Sequence, residues 1–235
     1  MSKFPVLDEI CNVLETYKGR DKFLRTICYS TKLISGLTSD PLLAKRMQNV
    51  SSQMSAARLI LRLLDDLPML KYAMEYGFGE EENDKLMASL GVITNVIDIL
   101  YYPIEKVAWL AEHRLISGYN VEPWDTASSI FWSASIYLTL MKTLRYVLIL
   151  QQHKTCADLS ADKHADKQIG LEKLIARQRY EILTCIRMSL DFIHAVNTLP
   201  PGFLWSSKLK TWHVGFIATF SSCEEDYILF NLMEL

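Results

Sequence analysis

The sequence has little of what catalysis, metal binding or export requires. Its cysteines, Cys11, Cys28, Cys156, Cys185 and Cys223, are scattered and odd in number, a pattern that suits a reducing compartment and not a secreted disulfide scaffold. No Cys-x-x-Cys, zinc-finger or RNP-like spacing occurs, so nucleic acid is not an indicated partner. The histidines, His113, His153, His164, His194 and His213, never fall as H-x-x-x-H or H-E-x-x-H. No glycine-rich phosphate loop, internal repeat or strand-like alternation appears, which removes nucleotide-binding, solenoid and β architectures. The N-terminal apolar stretch 4–7 is too short for a secretory leader, and charges follow at once. A long charge-free run is also missing: the longest useful one, 127–141, rises only about 22 Å as a helix, against a hydrocarbon core about 30 Å thick.

What remains is apolar and helical. Half of the 235 residues are hydrophobic and the net charge is −2. That is too apolar for a disordered chain and too polar for a many-span transporter. Charge is unevenly placed. Over 1–64 lysine and arginine outnumber acids two to one, and Glu80, Glu81, Glu82 and Asp84 follow. A basic head of this kind can meet an anionic membrane surface.

Val6, Ile10, Val13, Leu14 and Tyr17 fall at helical spacing up to Gly19, which ends or kinks the element. Phe23, Leu24, Ile27 and Leu33 continue the pattern after it, with Lys22, Arg25 and Lys32 alongside. Asp40 and Pro41 form a cap and first-turn signal for a third helix. There Leu43, Met47, Val50, Met54, Ala57, Leu61 and Leu64 alternate steps of four and three, giving one narrow apolar seam flanked by Arg46, Arg58 and Arg62. Pro68 bends or ends it. The loop 77–82 carries the acids. Another helix, 86–100, is broken by Pro103 and resumes to 115. Residues 151–170, polar and charged, read as a flexible linker. A helix over 171–199 follows, and then a short apolar segment, 211–223.

The stretch 100–150 raises the membrane question. Tyr101, Tyr102, Trp109, Trp124 and Trp132 surround an apolar run, and amphipathic rings prefer the headgroup level. Lys142 and Arg145 would each cost about 2.5–3.5 kcal/mol at the bilayer centre and less near an edge. The span is therefore set at 123–144, with both charges at one interface and Trp124 at the other. A buried core helix of a soluble bundle is the competing reading.

Reactive constellations are weak. His153, Cys156, Asp162, His164 and Asp166 match no metal spacing and read as solvated. Asp65 and Asp66 close the third helix more simply than they form an acid pair. Ser189, Asp191 and His194 share a helix but lack a nucleophile elbow. Ser207-Lys208-Leu209 spells a peroxisomal address that is read only at a free C-terminus.

Four stretches carry a resemblance: 17–29 (YKGRDKFLRTICY), 58–79 (RLILRLLDDLPMLKYAMEYGFG), 100–115 (LYYPIEKVAWLAEHRL) and 199–222 (LPPGFLWSSKLKTWHVGFIATFSS). In these the chain resembles the peroxin-11 family of peroxisomal membrane proteins, most closely its gamma type. The resemblance implies an integral peroxisomal membrane protein, not an enzyme and without cofactor, that promotes membrane elongation, proliferation and fission of peroxisomes. It also implies amphipathic helices in the cytosolic leaflet, self-association in homo- or hetero-oligomers, and contact with a tail-anchored fission adaptor and a dynamin-like GTPase. The N-terminus would face the cytosol. The chain departs from the gamma type after Ser222, where Cys223-Glu224-Glu225-Asp226 interrupts an apolar continuation.

Combined, these readings predict an all-α, membrane-associated protein. It has a membrane-binding helical region over 1–118, a transmembrane helix over 123–150, a linker over 151–170, and a helical region over 171–235 with a membrane segment at 211–223. Leu43, Met47, Val50, Met54, Leu61 and Leu64 are the expected inserting residues, with Arg46, Arg58 and Arg62 on lipid phosphate. The alternatives are a soluble helical adaptor and a metabolite pore lined by Lys142 and Arg145.

Overall fold

The computed structural model describes residues 5–116, 118, 120–159 and 165–233. The described residues form eight helices and no strand: α1 (Pro5–Glu15), α2 (Tyr17–Leu37), α3 (Pro41–Arg62), α4 (Asp66–Tyr76), α5 (Lys85–Glu112), α6 (Val121–Leu159), α7 (Ala165–Asn197) and α8 (Thr211–Met233). The all-α class follows directly. The chain divides into two compact units, 1–65 with 207–235, and 66–206.

In the first unit α2 packs along both α3 and α8. The break after α1 falls at Thr16, not at Gly19. Thr16 caps α2 by accepting the Gly19 amide at 3.0 Å. Gly19 sits in the first turn because a Cβ there would lie 2.0 Å from the Val13 carbonyl oxygen. Asp40 caps α3 as its sequence signals, accepting the Leu42 amide at 2.9 Å with Pro41 in the first turn. Two glycines set the α2–α8 crossing. A Cβ on Gly36 would lie 2.7 Å from the Trp212 backbone nitrogen, and one on Gly215 would lie 2.6 Å from Leu33 Cα. Small residues let helix backbones approach in this way. Below the crossing, Ala218, Ser221 and Ser222 are fully buried. α8 does not stop at 223. It continues as helix through Glu224 and beyond.

In the second unit α5 lies along α6, α4 rests on α5, and α7 returns along α6. Pro103 does not break its helix: it sits inside α5 on an exposed face. An internal proline costs about 3 kcal/mol, and packing of both halves of α5 against α6 offsets it. The polar segment 151–170 is likewise helical wherever it is described. Residues 151–159 belong to α6 and 165–170 to α7, while 160–164 lie outside the described residues. Polarity there marks a solvated helix face, and Gln151 ties it down by accepting from Gln178 on α7. Asp66 opens α4 instead of closing α3, which ends at Arg62.

Candidate membrane-facing surfaces and a charged latch

The predicted α3 seam is divided between two faces. Leu43, Val50 and Leu64 are exposed, at 37, 36 and 78%. Met47, Met54 and Leu61 are half-buried. The line of closest packing on α3 is more polar than the sequence suggests. Ser51 is buried, and its carbonyl accepts from the Cys28 thiol on α2 at 3.3 Å. Towards the open end of this hairpin Arg58 grips Asp21 through two hydrogen bonds, Nε to Oδ1 at 2.8 Å and Nη2 to Oδ2 at 3.1 Å. The Tyr17 hydroxyl donates to Asp65 at 2.9 Å. Burial and this bond push the Tyr17 pKa well above the ordinary phenol range.

These contacts sort the three arginines. Arg46 is exposed. Arg58 is committed to Asp21 with most of its side chain covered, so in this conformation it does not meet lipid phosphate. Arg62 is half-buried near Tyr17. On α2, Phe23 is exposed, whereas Leu24, Ile27 and Leu33 are half-buried. Arg25 turns towards α8 and donates to Ser221 Oγ at 3.1 Å.

In the second unit polar and apolar side chains share the interior, while several large apolar ones face outward. On α5 the outward line is Leu86, Ile93, Val96 and Leu100, each about half exposed, while Asn95 and Glu105 are buried. Tyr101 donates to Glu105 inside this face, and Asp98 is bonded to Ser135 of α6. On α6 Ile130, Tyr137 and Leu144 face outward and Ser133 is buried. α7 repeats the theme, with Gln178, Glu181, Asp191 and His194 buried and Ile182 and Ile186 exposed. Both α5 and 121–156 of α6 are long and apolar enough to cross a membrane, and most of each apolar window lies outside the interior.

At one end of the α5–α6 pair the charges form a latch. Lys142 meets Glu82 at 2.7 Å, and Arg145 meets Asp84 at 2.7 Å. The Lys142 ammonium also lies 4.8 Å from the centre of the Tyr76 ring. Asp84 is the N-cap of α5 and accepts the Met87 amide at 2.9 Å. The Arg145 guanidinium and that amide hold its carboxyl below the usual carboxylate range. Asp66 is lowered similarly by the Lys106 ammonium, 2.6 Å away. Lys142 and Arg145 are thus paired with acids about sixty residues upstream. The Asp84 cap signal was readable in the sequence. Its partner on α6 was not.

The weaker constellations remain apart. Ser189 Oγ donates to the Cys185 carbonyl of its own helix, and Asp191 pairs with Arg187 at 3.6 Å. Among the described residues no group of three or more His, Cys, Asp or Glu side chains could hold a metal; Asp162 and His164 lie outside the described residues.

The family model described as Peroxisomal biogenesis factor 11 (PEX11) matches residues 7–224. Peroxisomal membrane protein 11C of Homo sapiens is 34% identical over 223 residues, covering 92% of this chain and 91% of that protein. Its Mus musculus counterpart is also 34% identical, over 224 residues, with the same coverage. Peroxisomal membrane protein 11A of Bos taurus is 22% identical over 206 residues, covering 86% and 81% of the two chains. No solved structure matches the chain. With a family match over nearly its whole length, the chain belongs to the peroxisomal biogenesis factor 11 family.

Proposed function

We propose that this chain is an integral protein of the peroxisomal membrane that elongates and divides the organelle by inserting α3 into the cytosolic leaflet. The observation that carries the reading is the apolar pair Leu43 and Val50, exposed on α3 with Arg46 beside them, and Leu64 exposed just past its C-terminal end. Met47, Met54 and Leu61 extend it when α3 rolls away from α2. A helix lying in one leaflet spreads the headgroups, and an adjacent cation adds attraction to anionic lipid. The apolar helices α5 and α6 anchor the chain, and its N-terminal unit faces the cytosol. Self-association with copies or relatives concentrates the wedges, and contact with a fission adaptor and a dynamin-like GTPase completes division. The chain acts as a remodelling protein, not as an enzyme.

The test is expression of the full chain in cells, reading peroxisome number and length. The double variant Leu43→Glu with Val50→Glu, both on exposed positions, should reach peroxisomes at wild-type levels and fail to elongate them. Undiminished elongation would retire α3 as the wedge. Release of the wild-type chain by alkaline carbonate would retire integral anchoring.

A further inference from the structure

We propose that the cavity beside the charged latch is a headgroup site for an ethanolamine phospholipid, with Glu81 holding the ammonium and Arg145 the phosphate. The proposal rests on the integral reading above, which brings α5 and α6 to lipid, and adds to it a ligand and a selectivity.

The cavity measures about 480 Å³, within the range that bound small molecules and cofactors occupy. One wall is the 81–84 loop with the first turn of α5, and the other is late α6. On α6 Arg145, Ile149 and His153 follow one another at steps of four and share one face. The loop is held in place before any ligand arrives. Gly77 and Gly79 turn it with φ of 54° and 76°, and the Glu82 amide donates to the Gly79 carbonyl at 3.0 Å. Glu82 and Asp84 then fasten it to Lys142 and Arg145. A site fixed in this way loses little freedom on binding. Met87 and Leu150, both buried, and half-buried Ile149 give the cavity an apolar floor.

The latch also sorts the charges into committed and available ones. Asp84 uses both oxygens: Oδ1 accepts the Met87 amide, and Oδ2 accepts Arg145 Nε at 3.2 Å and Nη2 at 2.7 Å. Glu82 is held by the Lys142 ammonium at 2.7 Å and the Tyr76 hydroxyl at 3.3 Å. Glu81 is exposed and, among the described residues, has no ion-pair or hydrogen-bond partner. On the α6 wall Arg145 is 37% exposed and keeps Nη1, with two donors that Asp84 does not use. A free carboxylate and a half-used guanidinium on the two walls of one cavity match a ligand carrying an ammonium and a phosphate.

The same groups set the selectivity. The Glu81 carboxylate accepts hydrogen bonds, which a primary ammonium donates and a quaternary one cannot. Choline is held by cages of aromatic rings. Among the described residues one phenol ring, Tyr146, lines the cavity, and Arg177 already lies 5.7 Å from its centre. An anionic headgroup would meet three carboxylates, Glu81, Glu82 and Asp84, against the one guanidinium in the lining. The glycerol ester region falls on Met87, Ile149 and Leu150, which a water-soluble phosphoamine leaves uncovered. This preference is opposite to that of a cationic helix for anionic lipid, so the cavity and α3 can be measured apart.

The experiment is calorimetric titration of the full chain in detergent with dihexanoyl phosphatidylethanolamine, phosphatidylcholine and phosphatidylserine, and with water-soluble glycerophosphoethanolamine. The ethanolamine lipid should bind about ten-fold or more tighter than the other two lipids, the worth of one charged hydrogen bond. Glycerophosphoethanolamine should compete with it and bind more weakly. Glu81→Gln should lose the preference with its helical circular dichroism unchanged, while Glu80→Gln, an exposed neighbour, should keep it. Equal affinity for ethanolamine and choline lipids overturns the site, and so does an undiminished preference in Glu81→Gln. Glycerophosphoethanolamine binding as tightly as the lipid overturns a lipid as the occupant. Release of the chain from membranes by carbonate retires integral anchoring and leaves these affinities as measured, so the two readings fail separately.

Discussion

A disulfide between α2 and α3 would decide whether α3 must leave its partner to act on lipid. Cys28 Sγ and Ser51 Oγ lie 3.6 Å apart in the buried centre of the hairpin. Ser51→Cys therefore needs to close a gap of roughly 1.5 Å to reach the S–S bond length of about 2.05 Å. The crosslink would bridge positions 23 residues apart in sequence, and loop-closure entropy alone gives about 3.4 kcal/mol of stabilisation for a loop of that size. That gain is the check that the bond has formed in the native arrangement. Burying Met47, Met54 and Leu61 fully in lipid would yield roughly 5–8 kcal/mol, and about half of that is already realised against α2. The drive to open is then roughly 2–4 kcal/mol. Opposing it are the Asp21–Arg58 and Tyr17–Asp65 contacts, each of order 1 kcal/mol. The balance is close enough for lipid to tip it, but a covalent bond at the hairpin centre cannot be tipped. In a chain with Cys11, Cys156 and Cys223 replaced by serine, oxidised Ser51→Cys should lose elongation of anionic liposomes, and reductant should restore it. Cys28→Ala with Ser51→Cys should be indifferent to oxidant. Full elongation by the verified, oxidised crosslink would refute the opening of α3 and leave only its exposed ridge as the wedge.

Two further outcomes follow from the first unit. Gly215→Leu places a Cβ 2.6 Å from Leu33 backbone atoms and should lower stability by about 1–3 kcal/mol or more through forced separation of α2 and α8. Phe216→Leu, on the exposed neighbour, should change little, and thermal unfolding in detergent compares the two. Tyr17 supplies the pH dependence. Its pKa is raised by burial first and by the bond to Asp65 second, so its contribution is complete below the ordinary tyrosine value of about 10 and is lost as pH rises through the raised value. The late part of the tyrosinate absorbance titration should shrink in Tyr17→Phe. An unchanged late part would contradict this placement.

Local chemistry made much of the fold legible. The Asp40-Pro41 start of α3, its four-and-three apolar spacing and the end of α7 just before Pro200-Pro201 are encoded within a few turns, where caps and periodicity act. The misreadings share a cause. Pro103 and the polar 151–170 stretch carry local signals of interruption, and in each case a neighbouring helix supplies what the segment lacks. For α5 that neighbour is α6 along its whole length; for 151–159 it is α7 through Gln178. The seam on α3 was visible as spacing, but spacing alone does not say which edge of a seam meets a partner. Cys28, Ser51 and the Asp21–Arg58 pair turned α3 so that half the seam faces α2.

The latch shows why the membrane question was harder than the helix question. Lys142 and Arg145 set the cost of any span through α6, and that cost depends on groups 61 residues or so away. Read alone, two cations force the span to end before them or suggest a water-filled path. Read with Glu82 and Asp84, they are two hydrogen-bonded ion pairs, and the burden falls from two unpaired charges to none. Pairing of this kind also has a direction. Asp84 serves as the N-cap of α5 at the same time as it holds Arg145, so the start of one helix and the charged level of the other are fixed by a single carboxylate. Asp84→Asn should keep the cap, since an amide oxygen still accepts from Met87, while leaving Arg145 without its counter-ion. Were the latch only a surface ornament, that variant would insert like the wild type. If it sets the membrane level, the variant should be extracted by carbonate more readily, whereas Asp84→Glu should regain part of the resistance.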